Sequence, residues 1–257
     1  MTGAAQLLTP SFRLDGKRAL VTGASRGIGE AAAHALAQAG AEVTLVARSL
    51  PELEAVAQTI RAQGGRAQAL PFDVTDSGAV QREIAAQGPF HILVNSAGTN
   101  RPALLTQTSD EDLDAVLLLN VKAAFYLARE VARGLIAAGM PGSLINISSQ
   151  MGHVGGPKRT VYCASKHAIE GLTKALAWEL GGQQIRVNTL CPTFIETDMT
   201  RPMLADPEFM ALVQSRIALG RLGQVQDIMG AVVFLASEAS ALVTGSALMV
   251  DGGWTAQ

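Results

Sequence analysis

Tyr162 and Lys166 stand four residues apart at the start of a helical stretch, a phenol and an amine on one face. A phenol can exchange a proton with a reacting oxygen, but its ordinary pKa of about 10 is far from neutrality. A neighbouring ammonium stabilises the phenolate and brings that value down. Thirteen residues upstream of Tyr162, Ser149 follows the β-branched run Ile145-Asn146-Ile147, and its hydroxyl can stabilise charge developing on a substrate oxygen. Asn120 is a polar interruption after the apolar run 116–119.

A second group of residues points to a phosphate-bearing ligand. Thr22 leads into Gly23-Ala24-Ser25-Arg26-Gly27-Ile28-Gly29, and a helix follows at once. Gly23, Gly27 and Gly29 let the backbone approach a pyrophosphate, to which the helix N-terminus offers free N–H groups. The spacing is G-x-x-x-G-x-G rather than G-x-G-x-x-G. An NAD site usually carries an acid at the end of the second strand to hold the ribose 2′-hydroxyl. Here that strand ends Ala47-Arg48-Ser49. Arg48, with Arg26, suits a 2′-phosphate, so NADP(H) is favoured, with NAD(H) the alternative. Asp73 and Val74 close the third strand, where the carboxylate can accept from an adenine amino group. Asn95, Ala97 and Gly98 close the fourth, beside the expected adenosine ribose.

The elements that must position these groups alternate along the chain. Short apolar runs at 18–22, 42–46, 67–72, 91–95, 142–148, 186–190 and 247–250 are separated by Ala-rich helical patterns at 29–39, 50–63, 111–138, 162–180 and 225–235. This rhythm predicts right-handed βαβ units and one doubly wound α/β domain over 1–257. A helical piece at about 207–217 breaks the rhythm, and the insertion at about 193–223 is expected to be a substrate lid. The chain has 257 residues, 48% of them hydrophobic, enough for a substantial core. With 16% charged residues and a net charge of −2, nothing suggests nucleic acid or a membrane as partner. Cys163 and Cys191 do not make a disulfide framework and read as ordinary buried thiols, with no metal expected. Residues 1–13 lack a basic leader and a long apolar run, so a cytoplasmic protein is expected.

From Leu14 to Gly253 the chain resembles the short-chain dehydrogenases/reductases of about 250 residues. The resemblance rests on T-G-x-x-x-G-x-G at 22–29, N-x-A-G at 95–98, Y-x-x-x-K at 162–166, and the Asn120 and Ser149 positions. It implies a Rossmann-type fold with a seven-stranded parallel sheet, and a catalytic tetrad of Asn120, Ser149, Tyr162 and Lys166 that transfers hydride between nicotinamide and a carbonyl or secondary alcohol. Lys166 would also hold the nicotinamide ribose, and Asn120 a water leading from Lys166 to solvent. Pro192 and Thr197 match the segment after the sixth strand, although Thr193 replaces the family's glycine. The Ile195 amide and Thr197 hydroxyl then serve the nicotinamide carboxamide and phosphate. A homotetramer is a further implication of the resemblance.

The general resemblance is to 3-oxoacyl-carrier-protein reductases. His153, Lys158, Arg159 and Arg101 near the expected substrate mouth suit an acidic small molecule, while exposed charge at an entrance is the plainer reading. A sugar, polyol or hydroxy-acid dehydrogenase is the alternative. A regulatory protein that binds NADP without turnover is another, but it has no use for a proton relay.

Overall fold

A computed structural model describes residues 8–256. The reading of 1–13 as free of a leader falls partly outside them. Seven strands, β1 (Arg18–Thr22), β2 (Glu42–Ala47), β3 (Arg66–Pro71), β4 (Ile92–Asn95), β5 (Gly142–Ile147), β6 (Ile185–Pro192) and β7 (Ala247–Val250), form one parallel sheet. Its order is β3-β2-β1-β4-β5-β6-β7. The chain reverses its direction of winding between β1 and β4, and the carboxyl ends of those strands therefore flank a crevice.

Alternation along the strands divides the core into two layers. Val21, Val43, Leu45 and Val94 join one apolar cluster, with Leu36, Leu53, Ile60 and Val232 from the helices α1 (Gly27–Gln38), α2 (Leu50–Ala62) and α9 (Val225–Ala236). Leu20, Val46, Leu93 and Leu144 join the other, with Ile84, Leu127, Val131 and Leu180 from α3 (Ser77–Gln87), α5 (Ala123–Ala138) and α6 (Thr160–Leu180). With both faces covered, burying each of these side chains contributes about 1.5–3 kcal/mol. Among the described residues, no helix is long and apolar enough to cross a membrane.

Three features depart from the sequence expectation. The helix expected over 111–138 is α4 (Asp110–Leu117), a π turn (Leu118–Lys122) and then α5. The helix α3 was not expected; Asp76 caps it by accepting from the Gly78 and Ala79 amides. The segment 193–223 carries α7 (Arg201–Leu204) and α8 (Pro207–Ser215) instead of one piece. Val213, Ile217 and Leu222 form a small core of their own there, joined by Phe194, Phe209 and Trp254.

Candidate active site

The Gly-rich turn is packed too closely for side chains. Gly23 and Gly27 have φ of +63° and +62°, a region that favours glycine. A Cβ on Gly23 would stand 2.9 Å from the Ala97 backbone, and one on Gly29 would strike the Gly23 carbonyl. The turn is thus pressed against the β4 loop, with the Thr22 hydroxyl accepting from the Ser96 and Ala97 amides at 3.2 and 3.3 Å. Arg26 leaves the start of α1 without a side-chain cap, so its first N–H groups face outward. Ser25 and Ile28 are half-buried in the same turn, whereas Arg26 and Arg48 are exposed.

Asp73 accepts from the Thr75 amide and hydroxyl through Oδ1. Burial pushes its pKa up, but those bonds and nearby Arg48 bring it below the ordinary value, leaving a carboxylate with Oδ2 to offer. Val74 is buried beside it. Asn95 turns inward: its Nδ2 donates to Asn146 Oδ1 at 2.9 Å. Its side chain locks β4 to β5, leaving Ala97 and Gly98 to line the crevice. A dinucleotide fits this donor set, which combines a glycine cradle, an open helix terminus, a carboxylate and two arginines.

The π turn lies at Asn120. One extra residue in a helical turn rotates the following side chains, and such turns recur at functional sites. Asn120 is buried and hydrogen-bonded to Thr99, and its Nδ2 also donates to Ser165 Oγ at 3.0 Å. A cavity of about 10 Å3, room for one water, lies between Asn120, Lys166, Asn95 and Asn146.

Tyr162 and Lys166 come from the first turns of α6, and Ser149 from the end of β5. Burial raises the Tyr162 phenol above its ordinary value; the Ser149 hydroxyl and then the Arg159 guanidinium pull it partway back. Ser149 Oγ also accepts from the Met151 amide at 3.1 Å, which fixes its position at the strand end. Lys166 Nζ donates to the Ile147 carbonyl at 2.9 Å and stands 5.6 Å from the centre of the Tyr162 ring. Its pKa is lowered to about 8, chiefly by burial. Arg159 thus joins Lys166 as a second cation close to the phenol.

Among the cations expected at the mouth, Arg101 is paired with Asp112 at 3.7 Å and Lys158 is exposed. Arg159 is buried, donating to the Lys158 carbonyl and to Met203 Sδ of α7. No carboxylate pairs with it among the described residues. His153 turns away to Glu170 and Cys191. Cys191 is no nucleophile: burial first of all pushes its thiol up to about 12.

Beyond buried Pro192, Thr193 needs no positive φ, so its Cβ is tolerated where the family has glycine. Its hydroxyl is buried without a hydrogen-bond partner among the described residues. The Ile195 carbonyl and the Thr197 amide and hydroxyl are bound by the Thr200 hydroxyl. The Thr197 methyl lies 3.4 Å from where a Gly27 Cβ would stand, so the start of the 193–223 segment borders the Gly-rich turn. Ser165, which holds Asn120, and Thr99 are not singled out by sequence: Ser165 fills an unspecified position of Y-x-x-x-K and Thr99 follows N-x-A-G, so only their contacts reveal them.

Residues 23–255 match the family model described as Enoyl-(Acyl carrier protein) reductase. The chain is 43% identical over 248 residues to gluconate 5-dehydrogenase of Gluconobacter oxydans (strain 621H), covering 95% of this chain and 96% of that one. It is 40% identical over 247 residues to D-erythrulose reductase of Gallus gallus, covering 96% and 99%. The crystal structure of a gluconate 5-dehydrogenase from Burkholderia cenocepacia J2315 in complex with NADP and tartrate superposes with a TM-score of 0.92 at 38% identity, covering 96% of this chain and 98% of that chain.

Proposed function

The chain belongs to the short-chain dehydrogenase/reductase family of oxidoreductases, and we propose that it is an NADP(H)-dependent enzyme interconverting the ketone and secondary alcohol of a small sugar acid. The carrying observation is Arg159, a buried guanidinium beside Tyr162 with no carboxylate of its own. Such a group is costly to bury unpaired and suits a substrate carboxylate. Relatives acting on gluconate and the tartrate-bound neighbour support the acid; an erythrulose reductase among them supports the polyol skeleton.

A bound nicotinamide, held by the Gly-rich turn and Lys166, would supply the hydride for the carbonyl carbon. Tyr162 donates its phenolic proton to the oxygen, and takes one back in the oxidative direction. Ser149 hydrogen-bonds that oxygen as charge develops. Lys166 holds the nicotinamide ribose and relays a proton to the phenol, and Asn120 shapes the water-sized cavity that leads onward. Gly23, Ser25, Arg26, Gly27, Ile28 and Gly29 seat the phosphates, with Arg48 on the 2′-phosphate. Asp73 and Val74 would border the adenine, and Ala97 and Gly98 the adenosine ribose, with Asn95 locking β4 to β5 behind them. Pro192, Ile195 and Thr197 border the nicotinamide. The segment 193–223 closes over the substrate as a lid on the single domain.

A homotetramer fits the outer face of α6, where Ala164 and Ala168 are exposed and Trp178 is 91% exposed. The free thiols Cys163 and Cys191 fit the cytoplasm.

Nicotinamide absorbance tests the assignment with gluconate, xylitol, threitol and a 3-oxoacyl ester, each with both cofactors. Gluconate-type acids are expected to turn over best, and Arg159→Gln to raise their KM about 10–100-fold while sparing neutral polyols. Equal efficiency on neutral polyols, with a uniform effect of Arg159→Gln, overturns the sugar-acid assignment.

A further inference from the structure

Behind the proposed catalytic groups, His153, Glu170 and Cys191 turn their side chains to a common point, and their ligating atoms all lie within 4.8 Å of one another. The residues come from three elements: the turn after Ser149, helix α6 and strand β6. Cys191 Sγ lies 3.6 Å from His153 Nε2 and 3.4 Å from Glu170 Oε1, and His153 Nε2 lies 3.5 Å from Glu170 Oε1. Tetrahedral zinc with ordinary Zn–S, Zn–N and Zn–O bonds sets its ligand atoms about 3.3–3.6 Å apart. The triangle of sulfur, nitrogen and oxygen therefore has the edges that such an ion requires.

The surroundings are those of a site and not of a chance meeting. Glu170 Oε2 accepts from the Thr189 hydroxyl at 2.9 Å, which orients the carboxylate and leaves Oε1 toward the sulfur. The Ser148 hydroxyl is 3% exposed, faces the same sulfur, and lacks a partner of hydrogen-bond geometry among the described residues. It is a buried polar group that a metal-bound water at the open fourth position would satisfy. Gly152 keeps the space open: a Cβ there would come within 3.0 Å of Ser148 Oγ and 3.2 Å of Glu170 Oε1. His153 closes the outer side, and its side chain is 27% exposed, which gives an ion a way in.

We propose that His153, Glu170 and Cys191 form a structural zinc site that clasps the Ser149-bearing turn to α6 and β6. Soft thiolate, imidazole and one carboxylate select zinc over magnesium or calcium. On binding, Zn2+ displaces the proton from the Cys191 sulfur, which passes to solvent, while His153 binds as the neutral imidazole and Glu170 as the carboxylate. No redox change is involved. The site lies directly behind Tyr162 and Lys166, close enough for Cys191 to act on both, and does not depend on the identity of the substrate.

Titration of the metal-freed full-length protein with Zn2+ against a chromophoric chelator, followed by Co2+ substitution, tests this. Wild type is expected to bind one equivalent, and the Co2+ form to show the intense visible bands of a tetrahedral site with a thiolate charge-transfer band. Cys191→Ser should abolish the charge-transfer band, and His153→Gln, at a partly exposed position that leaves folding intact, should weaken Zn2+ binding about 10–100-fold. Cys163→Ser should change neither. Absence of saturable Zn2+ binding, or binding unaltered in His153→Gln and Cys191→Ser, overturns the proposal and leaves the cluster a hydrogen-bonded one. A charge-transfer band lost in Cys163→Ser but kept in Cys191→Ser overturns it equally.

Discussion

Asn120 grips Thr99 at both of its backbone groups, accepting from the amide at 2.8 Å and donating to the carbonyl at 3.0 Å. This paired contact ties the π turn to the loop after β4, and the bond from the same Nδ2 to Ser165 extends the tie to α6. Three elements bordering the crevice thus meet on one amide.

Replacing Asn120 with Ala removes three hydrogen bonds and leaves buried groups unsatisfied. A loss of about 1–3 kcal/mol in unfolding free energy is expected, together with a fall in kcat. Chemical denaturation beside steady-state kinetics checks it. Unchanged stability would show that water fills the role of the amide without cost.

Tyr162→Phe removes the proton donor while keeping the ring against Lys166. Turnover should fall by a factor of about 10²–10⁴ while NADPH affinity changes little. Fluorescence titration with NADPH separates the two effects. An equal loss of binding would contradict the assigned role.

Arg48→Ala should weaken NADPH about 10–100-fold, the range of a charge-assisted hydrogen bond, and leave NADH nearly unaffected. Calorimetric titration with each cofactor measures the ratio. An unchanged preference removes Arg48 from the 2′-phosphate and transfers the task to Arg26.

Lys166 makes stability depend on pH in a definite direction. Its pKa falls from 10.5 to about 8 on folding, so between those values the unfolded chain binds the extra proton. Stability from this residue is lowest below pH 8 and recovers as pH rises toward 10.5, with about 1 kcal/mol regained between pH 7 and 9. Relative to Lys166→Met, the wild type should gain that amount over this interval in parallel urea titrations. Parallel curves would mean that the ammonium is well solvated in the fold.

The sheet was legible because short β-branched or Leu-rich runs alternate with Ala-rich helical stretches, the rhythm of a doubly wound domain. Spacing alone placed Tyr162 and Lys166 on one helical face; their grouping with Ser149 and Asn120 came from the resemblance to the family. The π turn was not: it is a slip of one hydrogen bond inside an unbroken helical pattern, and composition does not record it. The α3 helix was hidden by a thin apolar face of Ala79, Val80 and Ile84. Lys158 and Arg159 are neighbours of like charge in sequence, and only packing separates a solvated residue from a buried one. Cys191 reads as a plain thiol because its companions lie 38 and 21 residues away along the chain.

The aromatic cluster of Phe194, Phe209 and Trp254 shares no member with the two layers that sandwich the sheet. Its cohesion is its own: the Phe194 ring meets Phe209 edge-on with centroids 5.8 Å apart and Trp254 at a tilt with centroids 5.7 Å apart. Under the proposed lid role of 193–223, changes on its inner side redraw the pocket without loosening the frame beneath. A scaffold divided in this way can acquire a new preference among related polyols by a few substitutions in 193–223, with the proton-transfer geometry at Tyr162 inherited intact.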